Sequence, residues 1–223
     1  MPGKITTAET RLLALRMQMS PHFVFNSLSS VNHFILRKDA EGASALLTKF
    51  SRLLRQVMEN VKTEWILLRQ ELDALRLYVE LEQLRCEGRF AVRLNVGDEV
   101  NPDAVLLPPL LLHPFVENAI RHGLLHKPGG QPLLQIDCWL AGGYLMLRVR
   151  DNGIGRAASG RLYRNDLTRH KLYGIQSTHE RLAIVNQVFG ADAQIGIEDL
   201  LGTEGEPAGT SVTIALRLRQ PFE

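Results

Sequence analysis

"YLMLRVRDNGIG" (residues 144–155) is the stretch on which the reading of this chain turns. Its first eight residues put apolar Leu145, Leu147 and Val149 on one side, the period of a half-buried strand. The run stops at Asp151, and Gly153 and Gly155 follow at once. Glycines at such a point let the backbone approach a ligand closely. An ordinary strand-to-loop turn uses the same D-x-G-x-G pattern, so these residues alone leave both readings open.

Outward from this strand, the chain divides by texture. Residues 8–87 hold one proline, Pro21, and one glycine, Gly42, among many Leu, Arg, Glu and Gln, which predicts helices over 8–37, 43–61 and 68–87. "KDAEG" (38–42) supplies the turn of a helical hairpin and "VKTEW" (61–65) the next break. Residues 88–219 carry most of the Gly and Pro. Alternating runs predict strands at 89–96, 132–140, 144–151, 193–198 and 210–219, and periodic runs predict helices at 108–124 and 174–189. The expected fold class is α+β: a helical hairpin, then a mostly antiparallel sheet with helices on one face. The expected division is 1–64 hairpin, 65–88 connecting helix and 89–223 sheet domain. A lone hairpin cannot bury two apolar faces, so a homodimer forming a four-helix bundle is expected.

Composition narrows the function classes. The 223 residues are 45% apolar, and 26 Lys+Arg against 24 Asp+Glu leave a net charge of +2. That balance gives no electrostatic basis for direct nucleic-acid binding. Cys86 and Cys138 form no C-x-x-C pair, which argues against zinc or a disulfide framework and for inert thiols in a reducing compartment. The N-terminal residues do not read as a signal peptide, and no run reaches the ~20 apolar residues of a membrane span. Membrane attachment is expected only through a segment outside this sequence.

Two groups of polar residues carry chemistry. On the first helix, Gln18, His22, Asn26, Ser29 and His33 recur at helical spacing and form one polar stripe. Spacing alone reads equally as a solvated face. Pro21 just before His22 is expected to bend the helix, and Asn26 lies one turn on, within reach of the ring or of an incoming phosphoryl group. His33 has neither neighbour and reads as a bystander. In "HPFVENAIRHG" (113–123), Glu117, Asn118, Arg121 and His122 fall on consecutive turns. An Asn oxygen suits Mg²⁺, a Glu can accept a proton, and Arg and His can face phosphates; an ordinary charged helix face has the same composition. Asp151 can accept a hydrogen bond from an exocyclic amine such as that of adenine. Residues 156–171 hold Arg156, Arg161, Arg164, Arg169 and Lys171 and read as a basic lid or a plain surface loop. Gly174 opens the next helix, whose N-terminus can hold phosphate, and Gly209-Thr210 turns into the last strand.

In order, these segments resemble one family, the LytS/YpdA-like sensor histidine kinases. "LRMQMSPHFVFNSLSSVNHFI", with Pro-His-Phe-x-Phe-Asn at 21–26, is similar to its phosphoacceptor box, and "LLPPLLLHPFVENAIRHGL" to its N box. "VRDNGIG" and "GIQSTHERLAIVNQVFG" resemble its glycine boxes, and "AGTSVTIAL" its last Gly-Thr element; "EWILLRQELDALRLYVELEQLRCEGRF" is similar to the segment between boxes. The resemblance spans about residues 10–219. It implies a dimerising hairpin followed by a GHKL-type (Bergerat) ATP-binding sandwich. His22 is then the phosphoacceptor, with Asn26 and Glu117 as catalytic helpers and Asn118 as the Mg²⁺ ligand. Arg121, His122, Asp151, Gly153, Gly155, Gly174 and Thr210 line the ATP site. The implied activity is ATP-dependent autophosphorylation of His22 and transfer to an aspartate of a response regulator of LytTR type. The implied location is cytoplasmic, alone or as the cytosolic part of an inner-membrane sensor. Competing readings are a non-catalytic dimeric nucleotide-binding scaffold and a chaperone- or repair-type GHKL ATPase. One departure stands out: Leu172-Tyr173 precede Gly174 where the family commonly has another glycine, so a differently shaped lid hinge is expected.

Overall fold

The computed structural model describes residues 21–162, 182–183, 186–187 and 192–218. Helices α1 (Pro21–Leu36) and α2 (Ala40–Asn60) form the hairpin. The turn is tighter than the expected 38–42. Lys38 takes a left-handed φ of 58°, and Asp39 caps α2 by accepting the Gly42 N–H at 2.8 Å, which places Gly42 inside the first helical turn. Ala43, Leu46, Phe50, Leu53, Val57 and Asn60 form the buried face of α2, at alternating three- and four-residue steps. The hairpin also exposes large apolar side chains: Phe25 (69% exposed), Leu28, Ile35 and Leu36 (74%) on α1, and Leu47 and Met58 on α2.

A two-residue strand, β1 (Ile66–Leu67), leads into α3 (Leu68–Arg85) and pairs antiparallel with β3 (Leu106–Leu107), a ladder too short to show in the sequence. The remaining elements are β2 (Ala91–Val96), α4 (His113–Asn118), β4 (Leu133–Ala141), β5 (Tyr144–Asp151), α5 (Gly155–Leu162), β6 (Gln194–Leu201) and β7 (Pro207–Arg217). The large sheet has the order β2-β4-β5-β7-β6. It is antiparallel except where β2 runs parallel to β4. The parallel edge requires a long crossover, and residues 97–132 provide it with α4.

One sheet face is apolar. Leu134, Ile136 and Cys138 of β4, Leu145, Leu147 and Val149 of β5, and Ile214 and Leu216 of β7 are buried in the same core as the inner faces of α2, α3 and α4. The other face is polar: Asp137 accepts hydrogen bonds from Asn95 (2.7 Å), Gln135 (3.0 Å) and Arg148 (2.8 Å). Helices on one face is therefore the observed layering. Both cysteines are free and buried, and burial pushes the Cys138 thiol up to about 12, the behaviour of an inert thiol. Among the described residues, no helix is long and apolar enough to cross a membrane.

Two expectations need correction. The predicted helix 108–124 is three pieces: α4, a π-helical turn at Ala119–Gly123 and a 3-10 turn at Leu124–His126. Pro108 and Pro109 cannot donate to a helix, and Leu110 takes a φ of 57°, so the helix cannot start before His113. The segment read as a lid loop from 156 begins instead as helix, since Gly155–Leu162 is α5.

Candidate functional site

The end of β5, the π-helical turn and the start of β7 converge on Asp151. This carboxyl is 4% exposed and accepts the Gly153 N–H at 2.9 Å. Burial raises it to about 6, against the opposing pull of the Gly153 and Thr210 N–H groups and of Lys127. It is therefore mostly ionised at pH 7 and within reach of protonation.

Glycines make this corner possible. A Cβ on Gly153 would lie 2.3 Å from the Gly123 carbonyl carbon, and a Cβ on Gly123 would lie 2.6 Å from Asp151 Oδ1. Gly209 has a φ of 129°, and a Cβ there would lie 2.0 Å from the Asp151 carbonyl oxygen. The Ile154 N–H donates to the Gly123 carbonyl at 3.3 Å, tying the loop after β5 to the π-helical turn. Asn152 braces the same loop, accepting the Leu133 N–H at 2.8 Å and donating to the Gln131 carbonyl at 3.0 Å. Gly155 opens α5 with a φ of 72°, and Thr210 is the register partner of Asp151.

Along α4 and the π-helical turn, Glu117 and Arg121 form an ion pair at 2.9 Å, both partly buried. Asn118, half-buried, is the last residue of α4. His122 is pushed down to about 4 by burial, with Arg121 and His126 adding to it. It is thus a neutral imidazole at pH 7, able to face a phosphate only as a hydrogen-bond donor and not as a cation. Arg156, read as a lid cation, is instead paired bidentately with Asp199 of β6 at 2.7 and 2.8 Å. A carboxylate of the edge strand β6 holds it.

The sequence-predicted residues Glu117, Arg121, His122, Asp151, Gly153, Gly155 and Thr210 thus stand on elements that meet at one end of the sheet. His22 and Asn26 stand apart on α1; Asn26 is half-buried, and the His22 side chain lies outside the described residues. Gln18, Gly174 and residues 163–171 lie outside them too. Sequence reasoning did not single out Gly123, Lys127 or Asn152, and it read Gly209 only as a turn into the last strand. Gly123 and Gly209 lay inside recognised segments, but nothing local showed that both face Asp151.

Comparison with known proteins agrees with this architecture. Residues 10–90 match the histidine kinase family. The chain is 30% identical over 191 residues to the sensor histidine kinase/phosphatase LytS of Staphylococcus aureus, strain Mu50, and equally to that of strain N315, covering 85% of this chain. It spans about a third of the length of those relatives, 32%. Among solved structures, a bacterial phosphotransferase superposes with a TM-score of 0.50 at 14% identity, over 96% of this chain and 98% of that one, which shows a shared fold. The histidine kinase domain of the Erythrobacter litoralis EL346 blue-light activated histidine kinase gives 0.47 at 18% identity, over 93% and 94% of the two chains. The chain is thus similar to the histidine kinase family over residues 10–90 and to the sensor histidine kinase/phosphatase LytS over most of its own length.

Proposed function

We propose that this chain is the ATP-dependent catalytic portion of a sensor histidine kinase that phosphorylates its own His22. The observation that carries this reading is the buried Asp151 carboxyl, packed against Gly123, Gly153 and Gly209. A carboxylate at such a strand end is suited to accept a hydrogen bond from the exocyclic amine of a base. Asn118 would hold Mg²⁺: an amide oxygen is the hard donor this ion takes, and one protein ligand beside nucleotide phosphates is its usual arrangement. Bound there, Mg²⁺ would neutralise charge on the phosphates.

The chain's own groups do the rest. Neutral His22 attacks the γ-phosphorus in line; the N–P bond forms as the bridging P–O bond breaks, and ADP leaves with that oxygen. Glu117, held by Arg121, takes the imidazole proton or orders a water that does. Asn26 orients the His22 ring. The phosphoryl group then passes to an aspartate of a response regulator, of LytTR type by the family resemblance. The exposed apolar stripe of the hairpin supports a homodimer, in which a second copy would cover Phe25, Leu28 and Leu36. The chain would work in the cytoplasm, as the cytosolic part of a longer membrane sensor.

Incubation with γ-labelled ATP and Mg²⁺ tests this. The parent should form an acid-labile, alkali-stable phosphoprotein, and His22→Gln should not. Equal labelling of His22→Gln refutes the assignment of His22. Nucleotide binding with no label in the parent supports a scaffold instead, and steady hydrolysis indifferent to His22→Gln supports a GHKL ATPase.

A further inference from the structure

We propose that Glu71, on the helix that joins hairpin to sheet, is a positioning residue for the Glu117–Asn118 end of α4. Glu71 is 2% exposed. Its Oε2 accepts the Leu110 N–H at 2.8 Å and its Oε1 accepts the Leu112 N–H at 2.9 Å. One buried carboxylate thus satisfies two buried backbone donors 39 and 41 residues away.

The segment it holds is the entry to α4. Pro108 and Pro109 bring no N–H groups, and Leu110 sits at a φ of 57°, which a bulky side chain rarely adopts. The carboxylate compensates for that conformation by fixing the amides on either side of Leu111. His113 then begins α4, which has only six residues and ends on Asn118. A helix this short has no room to absorb a displaced start: what moves Leu112 moves Asn118. Two turns along the same face of α3, the Tyr78 ring lies 4.3 Å from the His113 ring, a second grip on the same entry. α3 is in turn tied to α2 by the Lys49–Glu80 ion pair and by Gln56 Nε2 donating to the Gln70 carbonyl at 3.1 Å. The orientation of the hairpin is thereby communicated to the end of α4 through Glu71.

The readout in phosphorylation rests on the kinase reading above; the structural readout does not. The test uses the full chain with Glu71→Gln, which keeps the size but sets an NH₂ against one of the two amides. The matched control is Leu72→Ala, which removes neighbouring core bulk and leaves the Glu71 carboxylate in place. Both should unfold at lower temperature than the parent, so measurements are made well below both midpoints. Glu71→Gln alone should raise the Mg²⁺ concentration for half-maximal labelling by about tenfold, the usual size of a supporting-residue effect on a metal site. It alone should also speed amide hydrogen exchange at Leu110, Leu112 and α4 by about tenfold or more. Unchanged exchange in Glu71→Gln, or the same change in Leu72→Ala, overturns the proposal whether or not the parent labels. A parent that does not label overturns the kinase reading and leaves exchange to decide on Glu71.

Discussion

Asp151→Asn separates the stability of the fold from its use. Burial raises the Asp151 carboxyl from 3.8 to about 6. At about 1.4 kcal/mol per pH unit, this difference is about 3 kcal/mol at pH 7. A raised acid binds its proton more tightly in the folded state than in the unfolded chain. Between about pH 4 and pH 6 the folded state therefore holds the extra proton, and stability falls as pH rises through that window. Above about pH 6 the full cost of ionised Asp151 is present. Asparagine removes this cost but sets its NH₂ against one of the two N–H donors, from Gly153 or Thr210, an offset of about 1–3 kcal/mol that does not vary with pH. The gap in unfolding free energy between Asp151→Asn and parent should thus widen in favour of the variant by about 2 kcal/mol from pH 4.5 to pH 7.5. Urea unfolding followed by far-ultraviolet circular dichroism measures it. A gap that stays flat over that range, or that widens the other way, refutes the burial argument. The same variant should lose binding of a fluorescent ATP analogue at pH 7.5, and parent binding should weaken as pH falls through about 6.

Gly153→Ala should destabilise the chain by about 1–3 kcal/mol and abolish ATP-analogue binding, because its Cβ meets Gly123 backbone rather than a side chain that can turn aside; a variant of parental melting temperature and affinity would show the corner to be loose. Phe25→Glu with Met58→Glu removes two exposed apolar side chains of the hairpin and should convert a dimer to a monomer by light scattering, at unchanged helix content. Leu53→Ala, at a fully buried position in α2, should cost about 2–5 kcal/mol in urea unfolding. His33→Gln should label at the parental rate, since His33 is exposed on α1 and its ring meets Phe34 in a T-shaped contact.

Much of this protein was legible in its sequence for a local reason. Helix periodicity and strand alternation are properties of neighbouring residues, so α2, α3, β4 and β5 lie where their apolar spacing puts them. Asp151 was legible as a strand-end carboxylate because the glycines that follow it are contiguous with it. The start of α4 was misread because periodicity continues through Leu110–Leu112, whereas the prolines before it and the carboxylate of Glu71 decide where helix can begin.

What only the tertiary structure decided are the contacts between residues far apart in the chain. Nothing in "NAIRHG" shows that Gly123 abuts Gly153, nor in "EPAGT" that Gly209 lies against the Asp151 carbonyl. Gly123 leaves room for the Asp151 carboxylate and Gly209 for a neighbouring backbone, and both approaches are set by the β5–β7 register and the π-helical turn. The ionisation of Asp151 and His122 belongs to the same category, because burial is a property of the assembled core and not of the residue. The sequence alone determined which residues could do the chemistry; packing determined which of them stand together and in what charge state.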